Sequence, residues 1–279
     1  MGRGMGERLL ERGHELVVWN RTPEAAQALE ERGARAAASA EHALQAEIVI
    51  TMLADDAALD DVWVVPQLPR RMPAGTVHLN MASVSLAMAK RLTSLHAACE
   101  ARYVSAPVFG RPHAARSGEL DIVAAGERES LGRCVPLFEA LGKRWFDLGD
   151  DATQANIVKI ARNYLLGTIV ESLGEAFALV AKSGVEPARF LEIITTTSMS
   201  APAYRNYGRM IIEKPEQPTF TLRLGMKDVE LAIEAGDETG VPMPMAAVIR
   251  DQHAAAIARG YGERDWAALG NYIAEQAGL

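Results

Sequence analysis

The first half of the chain alternates short β-rich runs with helical stretches, and this alternation restricts the fold more than any other feature. Runs of β-branched and aromatic residues bounded by turn residues predict strands. The six runs are HELVVW (14–19), EIVITML (47–53), TVHLN (76–80), RYVSAPV (102–108), LDIVAAG (120–126) and KRWFDL (143–148). Because strands separated by helices form a mostly parallel sheet covered on both faces, residues 1–150 are predicted to be an α/β domain with a doubly wound parallel sheet.

The strand-like runs stop after Gly149, and the rest of the chain has helical periodicity. Residues 152–183 are predicted to form one long helix, and shorter helical segments follow it. Residues 151–279 are therefore predicted to be an all-α domain that begins with a long interdomain helix. Since this helix is apolar around much of its circumference, part of it is expected to contact another subunit in a homodimer or homotetramer.

Charge and composition argue against several classes of function. The net charge of −7 disfavours a nucleic-acid-binding surface, which would be basic. The most hydrophobic short stretch, IVITMLA, has the length of a strand, so the sequence predicts no membrane span. Cys99 and Cys134 show no disulfide pattern and predict a cytoplasmic location, and no Cys/His cluster has the spacing of a metal site.

The chain opens MGRGMGERLL, with Gly2, Gly4 and Gly6 at the start of a predicted helix. In dinucleotide-binding βαβ units, such glycines join the first strand to the first helix and let backbone N–H groups approach a pyrophosphate. No strand precedes these glycines, so the first strand of the sheet is expected to be missing. We expect the natural start to lie roughly ten to a dozen codons upstream, the length of one strand and its turn.

The tripeptide Asn20-Arg21-Thr22 follows the HELVVW run. In dinucleotide-binding folds, an acidic residue at this place accepts hydrogen bonds from ribose hydroxyls, whereas an arginine can bind the 2′-phosphate of NADP. Arg21 without a neighbouring acid therefore predicts NADP(H), with NAD as the alternative cofactor. An isolated Asn-Arg-Thr would more often be a solvated loop, and its position at the strand end favours the cofactor interpretation.

Lys159 and Asn163 lie four residues apart in the long helix and so project from one face. A lysine in a cleft can donate a proton to a carbonyl oxygen while hydride reaches the carbon, and an amide one turn away can hold the same oxygen. Lys159 is therefore the candidate acid/base, with Asn163 as its catalytic neighbour. Taken alone, a lysine on a wet helix face would be the simpler interpretation.

Several separated motifs resemble the β-hydroxyacid dehydrogenase family of the 3-hydroxyisobutyrate dehydrogenase and glyoxylate/succinic semialdehyde reductase type, related to 6-phosphogluconate dehydrogenase. They run in family order through nearly the whole chain: the glycine-to-NRT segment 2–22, TML at 51–53, LNMASVS at 79–85, SAPVFG at 105–110, GEL at 118–120, KIARN at 159–163 and the KDV-containing segment 225–244. The resemblance implies a Rossmann-like domain, a long interdomain helix and an all-α domain that mediates oligomers. It also implies an oxidoreductase that transfers hydride between NADP(H) and a β-hydroxy acid or a small aldehyde or keto acid.

The resemblance further implies a role for each matching residue. Lys159 would be the catalytic acid/base and Asn163 its neighbour at the substrate, with Ser83 on the nicotinamide side and in contact with substrate. The cofactor-binding set would be Gly2, Asn20, Arg21, Thr22, Met52, Leu53, Ser83 and Lys227, where Lys227 of the Lys227-Asp228 pair closes over the cofactor. Taken alone, that pair would more simply be an ion pair at the start of a helix.

The substrate loop departs from the family pattern DAPVSGG. This chain has Ser105-Ala106-Pro107-Val108-Phe109-Gly110-Arg111, so Phe109 removes a hydroxyl and adds bulk where small residues usually face a substrate carboxylate. Arg111 could restore carboxylate binding as a bidentate partner. Phe109, Gly110 and Arg111 are therefore predicted substrate residues, and a larger or more apolar carbonyl compound is a second substrate class.

Two alternative functions follow from these departures. The altered loop is compatible with an imine reductase-like NADPH enzyme, although that group usually has another residue in place of Lys159. A non-catalytic, dehydrogenase-derived dimeric module is the alternative if the phosphate-binding turn is truly incomplete.

Overall fold

The computed structural model describes residues 1–279, which form two compact units, Met1–Lys159 and Ile160–Leu279. The two units divide inside one continuous helix, about two turns after it begins at Thr153. The sequence-based division at 150/151 lies just before this helix.

The first unit contains eight strands and six helices before the long helix. The strands are β1 Val17–Val18, β2 Arg35–Ala36, β3 Ile48–Thr51, β4 Val77–Asn80, β5 Arg102–Ser105, β6 Val108–Phe109, β7 Leu120–Gly126 and β8 Gly142–Asp147. The helices are α1 Gly2–Glu11, α2 Pro23–Glu30, α3 Asp56–Leu59, α4 Leu86–Ala98, α5 Pro112–Ser117 and α6 Arg128–Leu141.

Six of the strands form one sheet in the order β3–β4–β5–β7–β6, with β8 paired to β7. β3, β4 and β5 are parallel, as are β7 and β8, whereas β7 is antiparallel to β5 and β6. β1 and β2 form a separate parallel pair. The predicted α/β class with a largely parallel sheet is confirmed.

The antiparallel pairing has a local cause in the RYVSAPV run. The structure divides this predicted single strand into β5 and β6 around Ala106 and Pro107, and Pro107 has no N–H to donate to a strand ladder. The connection from β6 to β7 then spans only residues 110–119, which is shorter than a parallel crossover needs. β7 therefore returns antiparallel to β6.

Helices and turns cover both faces of the six-stranded sheet. On one face, residues of α1, α5 and α6 pack against strand residues such as Val77, Leu79 and Val104. On the other face, α4 and the segment around Trp63 pack against Tyr103. Val104 and Tyr103 face opposite ways because side chains alternate along a strand. This arrangement is the doubly wound architecture that the sequence predicts.

The glycines of α1 allow close packing of this helix. A Cβ atom added at Gly4 would lie 3.0 Å from the Pro112 carbonyl oxygen, and one at Gly6 would lie 2.8 Å from a Leu29 methyl group. The contact at Gly6 is shorter than real Cβ atoms show, and the contact at Gly4 is tighter than nearly all of them. Gly4 and Gly6 therefore bring α1 against α5 and α2.

The second unit is helical, as predicted. The long helix α7 Thr153–Lys182 enters it and is followed by α8 Pro187–Thr196, α9 Pro202–Glu213, α10 Leu222–Thr239, α11 Pro244–Ala256 and α12 Ala268–Gln276. Its core includes Leu173 of α7, Ile211 of α9 and Trp266, which precedes α12. A Cβ at Gly174 would lie 2.8 Å from the Gly270 Cα atom, so these two glycines let α7 and α12 touch.

By length and composition alone, α7 could cross a membrane, because an 18-residue window has a mean hydropathy of 1.4. Core helices of globular proteins pass the same test, and Leu166, Val170 and Leu173 of α7 belong to the core of the second unit. Leu165 and Leu179 are 57% and 69% exposed. Coverage of this exposed face by another subunit stays a prediction.

Candidate active site

The start of α7 is set by Asp151. Its carboxylate accepts hydrogen bonds from the Thr153 backbone N–H (3.0 Å) and the Thr153 hydroxyl (2.7 Å). A side-chain acceptor at this place satisfies N–H groups that have no partner within the helix. The next two turns of the helix, still in the first unit, carry Asn156 and Lys159.

Lys159 lies at the end of those two turns and is half-buried. Its ammonium donates a hydrogen bond to the backbone carbonyl of Val108 at 2.8 Å, and Nζ lies 5.2 Å from the centre of the Phe109 ring. A carbonyl acceptor and an aromatic face both favour a cation. The first unit therefore holds the predicted acid/base beside the predicted substrate loop.

One turn before Lys159, Asn156 makes a second contact with the same loop. The Ser105 hydroxyl donates to Asn156 Oδ1 at 2.6 Å, and both side chains are buried. The sequence interpretation did not identify Asn156. The sequence signal that could have identified it is its position three residues before Lys159, on the same helix face.

Ser105 ends a row of polar residues at the carboxyl ends of three parallel strands. Thr51 of β3 is in register with Asn80 of β4, and Asn80 is in register with Ser105 of β5. The Thr51 hydroxyl donates to Asn80 Oδ1 at 2.9 Å, and the Ala82 N–H donates to the same oxygen at 3.2 Å. The carboxyl edge of a doubly wound sheet is where ligands bind.

Two buried histidines lie beneath this row and were not predicted. His78 Nδ1 lies 2.9 Å from His96 Nε2, and His78 Nε2 lies 2.9 Å from the Thr51 hydroxyl. Burial lowers the pKa of His96 to about 4, and burial together with the neighbouring His96 lowers the pKa of His78 well below its ordinary value. Both rings are therefore neutral at physiological pH, and they support the polar row without adding charge to it.

Most of the predicted nucleotide-binding residues follow strands of the first unit. Asn20, Arg21 and Thr22 are exposed between β1 and α2, and the Asn20 amide donates to the Thr22 carbonyl at 2.9 Å. Met52 and Leu53 are half-buried directly after β3. Gly2 begins α1, and a Cβ there would lie 3.7 Å from Met52 Cγ, so the structure brings these two predicted sites together.

These residues fit a dinucleotide phosphate. The first turn of α1 has no acidic residue, so its N–H groups and helix dipole present an unopposed positive end. Arg21 is exposed and has no carboxylate partner. Such a guanidinium is suited to a 2′-phosphate.

The substrate loop has one position that only glycine suits. Gly110 has a φ of +145°, and a Cβ there would lie 2.7 Å from a Leu120 methyl group. Arg111 is the half-buried residue directly before α5, and Ser83 is half-buried in the turn after β4. Phe109 is half-buried against Val123, Ala125 and Ala155.

In the second unit, Asn163 and Lys227 share one acceptor, Asp228 of α10. The Asn163 amide donates to Asp228 Oδ2 at 2.7 Å, and Lys227 Nζ lies 3.6 Å from Asp228 Oδ1. Asn163 and Asp228 are both buried. Asp228 was recognised only as half of an ion pair, and the structure adds its bond to Asn163, 65 residues away in the chain.

Family models match both halves of the chain. The NAD-binding domain of 6-phosphogluconate dehydrogenase matches residues 1–149, and the NAD-binding domain of NADP-dependent 3-hydroxyisobutyrate dehydrogenase matches residues 153–273. The predicted cofactor, NADP(H), is confirmed by this match.

Two curated relatives align along nearly their whole length. An uncharacterised oxidoreductase, YfjR, of Bacillus subtilis is 35% identical over 96% of this chain and 95% of its own length. Glyoxylate/succinic semialdehyde reductase 1 of Arabidopsis thaliana is 31% identical over 96% of this chain and 93% of its own length.

Solved structures share the fold. The 3-hydroxyisobutyrate dehydrogenase of Mycobacterium tuberculosis, with L-serine, superposes with a TM-score of 0.88 at 23% identity over 98% of this chain and 95% of that one. A reductive aminase of Aspergillus terreus, in complex with NADPH4, cyclohexanone and allyl amine, has a TM-score of 0.61 at 27% identity over 98% of this chain and 95% of that one. The chain therefore belongs to the β-hydroxyacid dehydrogenase family, the NAD(P)-dependent oxidoreductases that act on CH–OH groups.

Proposed function

We propose that this enzyme interconverts a β-hydroxy acid, or the alcohol of a small aldehyde or keto acid, with its carbonyl form, using NADP(H) and Lys159 as general acid/base. The observation that carries the proposal is the hydrogen bond from the Lys159 ammonium to the Val108 carbonyl beside the substrate loop. This bond supports the proposal because it holds a proton donor beside the predicted substrate loop.

The chemistry divides between cofactor and protein. NADPH, when bound, supplies the hydride that reduces the substrate carbon. Lys159 gives one proton to the carbonyl oxygen, and its positive charge stabilises the developing alkoxide before that transfer. In the oxidative direction the neutral amine takes the proton from the alcohol. The Val108 carbonyl keeps the amine oriented in both protonation states, because either state has an N–H to donate.

Asn163 is proposed to hold the substrate oxygen or the lysine. Asp228 accepts one N–H of the Asn163 amide at 2.7 Å, which decides the orientation of that amide. An amide held by a buried carboxylate cannot rotate freely, so its remaining N–H and carbonyl point in fixed directions. Asn163 lies one helical turn from Lys159, on the same face of α7.

Arg21 supports a preference for NADP(H) over NAD(H). It is exposed at the end of β1 without a carboxylate partner, and it stands where an acid would otherwise bind the ribose. An enzyme with at least equal kcat/KM for NADH would contradict this preference.

Phe109 supports a substrate with an apolar part next to its carbonyl. The half-buried ring lies next to Lys159, at a place where the family pattern has a small hydroxylated residue. We propose a short aldehyde or keto acid that carries an apolar substituent, with Arg111 as its carboxylate partner.

The test is a panel of NADPH-dependent reductions at matched concentrations. It compares glyoxylate, succinic semialdehyde, methylmalonate semialdehyde and bulkier aldehydes with cyclic imines, for the parent enzyme and Phe109→Ser. We expect carbonyl substrates to be reduced, and Phe109→Ser to raise kcat/KM for glyoxylate relative to the bulkier aldehydes. An unchanged ranking would contradict the role of Phe109.

The similarity to a reductive aminase keeps imine reduction as the second candidate. Lys159 favours carbonyl reduction, because the resemblance implies that imine reductase-like enzymes usually have another residue at this position. Turnover of cyclic imines with no turnover of any aldehyde or keto acid would overturn the proposal in favour of the second candidate.

A further inference from the structure

We propose that Asn156 and Ser105 form a positioning pair that fixes the first turns of α7 on the carboxyl edge of the sheet, and through them the place of Lys159. This inference rests on the proposed role of Lys159. Neither residue touches the reacting atoms in this account, so both act through the lysine.

Two hydrogen bonds join the substrate loop to the start of α7. The loop from Ser105 to Val108 contacts α7 at two points: Ser105 Oγ donates to Asn156 Oδ1 at 2.6 Å, and Lys159 Nζ donates to the Val108 carbonyl at 2.8 Å. The two contacts are three residues apart on the loop and three residues apart on the helix. The lysine bond is made by the end of a long flexible side chain, whereas the Ser105–Asn156 bond joins two short and buried side chains. The Ser105–Asn156 bond therefore sets the position of the helix.

One end of the buried Asn156 amide is unsatisfied. Asn156 is 1% exposed, and its Nδ2 atom has no hydrogen-bond partner. A buried amide with one end unpaired is costly, so an apolar side chain of similar size would serve packing better. The carbonyl end of Asn156 must therefore contribute more than packing, and it accepts its hydrogen bond from the Ser105 hydroxyl.

Ser105 is itself held in place by the sheet. It ends the polar row described above, in register with Asn80 and through it with Thr51. Ser105 is fully buried in β5, whose backbone is fixed by pairing to β4 and β7. The pair thus connects the rigid sheet to the helix turn that carries Lys159.

The experiment is a double-mutant cycle of Ser105→Ala, Asn156→Ala and the double variant. The readouts are the single-turnover rate of NADPH oxidation, KM for the substrate and Kd for NADPH. We expect each single variant to lower the rate about 10-fold, since small misplacement of a catalytic group has effects of this order or larger. The double variant should show the same loss of about 10-fold rather than the product of both, with KM and Kd within about twofold.

Val158→Gly is the matched control for general loosening of this turn. Val158 lies between Asn156 and Lys159 on α7, is 37% exposed and takes no part in the pair. Glycine there weakens the helix but leaves the Ser105–Asn156 bond in place. Its single-turnover rate should stay within about threefold of the parent.

Three outcomes overturn the inference: parent-like rates in both single variants, losses that multiply in the double variant, or an equal loss in Val158→Gly. If Asn156→Ala does not fold, Ser105→Ala, which removes one hydroxyl, carries the test. Lys159→Ala run in parallel separates the two claims. An active Lys159→Ala enzyme refutes the proposed function, whereas an inactive one together with unimpaired Ser105 and Asn156 variants refutes only the positioning pair.

Discussion

Glu171 of α7 makes the stability of the helical unit depend on pH. Its side chain is buried, and neither carboxyl oxygen has a hydrogen-bond partner. Burial, and to a lesser extent the negative charge of Glu175, raises the pKa of Glu171 from 4.5 to about 7. The folded protein therefore keeps this acid protonated at pH values where the unfolded chain ionises it.

The sign and size of the effect follow from these two pKa values. Below pH 4.5 both states are protonated and the residue has no effect. As pH rises from 4.5 to 7 the unfolded state loses its proton first, so stability falls; above pH 7 the loss levels off. A shift of this size lowers the free energy of unfolding by about 3 kcal/mol at pH 8 and by about 1 kcal/mol at pH 5.

Glu171→Gln removes the ionisable group and should remove this dependence. Urea unfolding followed by far-ultraviolet circular dichroism would be measured for parent and variant at pH 5 and pH 8. At each pH, the free energy of unfolding of the parent is subtracted from that of the variant. This difference should be about 2.5 kcal/mol larger at pH 8 than at pH 5. Glu175→Gln, an exposed change one turn away, is the control and should keep most of the parent's pH dependence. If the stability of the parent and of Glu171→Gln changed with pH in parallel, Glu171 would not be the source of the pH dependence.

Three further predictions concern other parts of the chain. Arg21→Ala should raise the Kd for NADPH about 10-fold or more and leave that for NADH within about twofold, measured by cofactor fluorescence. Asp228→Ala leaves the Asn163 amide without its buried acceptor. We expect kcat to fall at least about 10-fold, and thermal denaturation to show a loss of stability of about 1–3 kcal/mol. Gly6→Ala places a methyl group 2.8 Å from Leu29 and should lower the free energy of unfolding in urea by about 1–3 kcal/mol. Gly13 has open space around it but a φ of +84°, so Gly13→Ala tests backbone strain instead of crowding. Unchanged values in any of these assays would contradict the corresponding contact.

The periodic parts of the fold were predictable because their pattern is local. The long helix was predicted at 152–183 and lies at Thr153–Lys182, and the strand LDIVAAG coincides with β7. β2 was missed, since it is two exposed residues without hydrophobic alternation. The antiparallel return of β7 was also missed, because it depends on how Pro107 interrupts a run that looks continuous.

The candidate site divides in the same way. Lys159, Asn163 and Arg21 could be found from spacing and from position after a strand. The partners that hold them could not, because Asn156 meets Ser105 across 51 positions and Asp228 meets Asn163 across 65. Such pairs depend on tertiary packing, which no local pattern reports.

The most direct test of the central claim is the single-turnover rate of hydride transfer in Lys159→Ala, measured with saturating NADPH and the best aldehyde of the panel. Lys182→Ala, which removes an exposed lysine from the last turn of the same helix, is the matched control. We predict that Lys159→Ala loses on the order of 10²–10⁴ in rate while its Kd for NADPH stays within about twofold, and that Lys182→Ala behaves as the parent. Turnover by Lys159→Ala at a rate close to that of the parent would contradict the assignment of Lys159 as the acid/base.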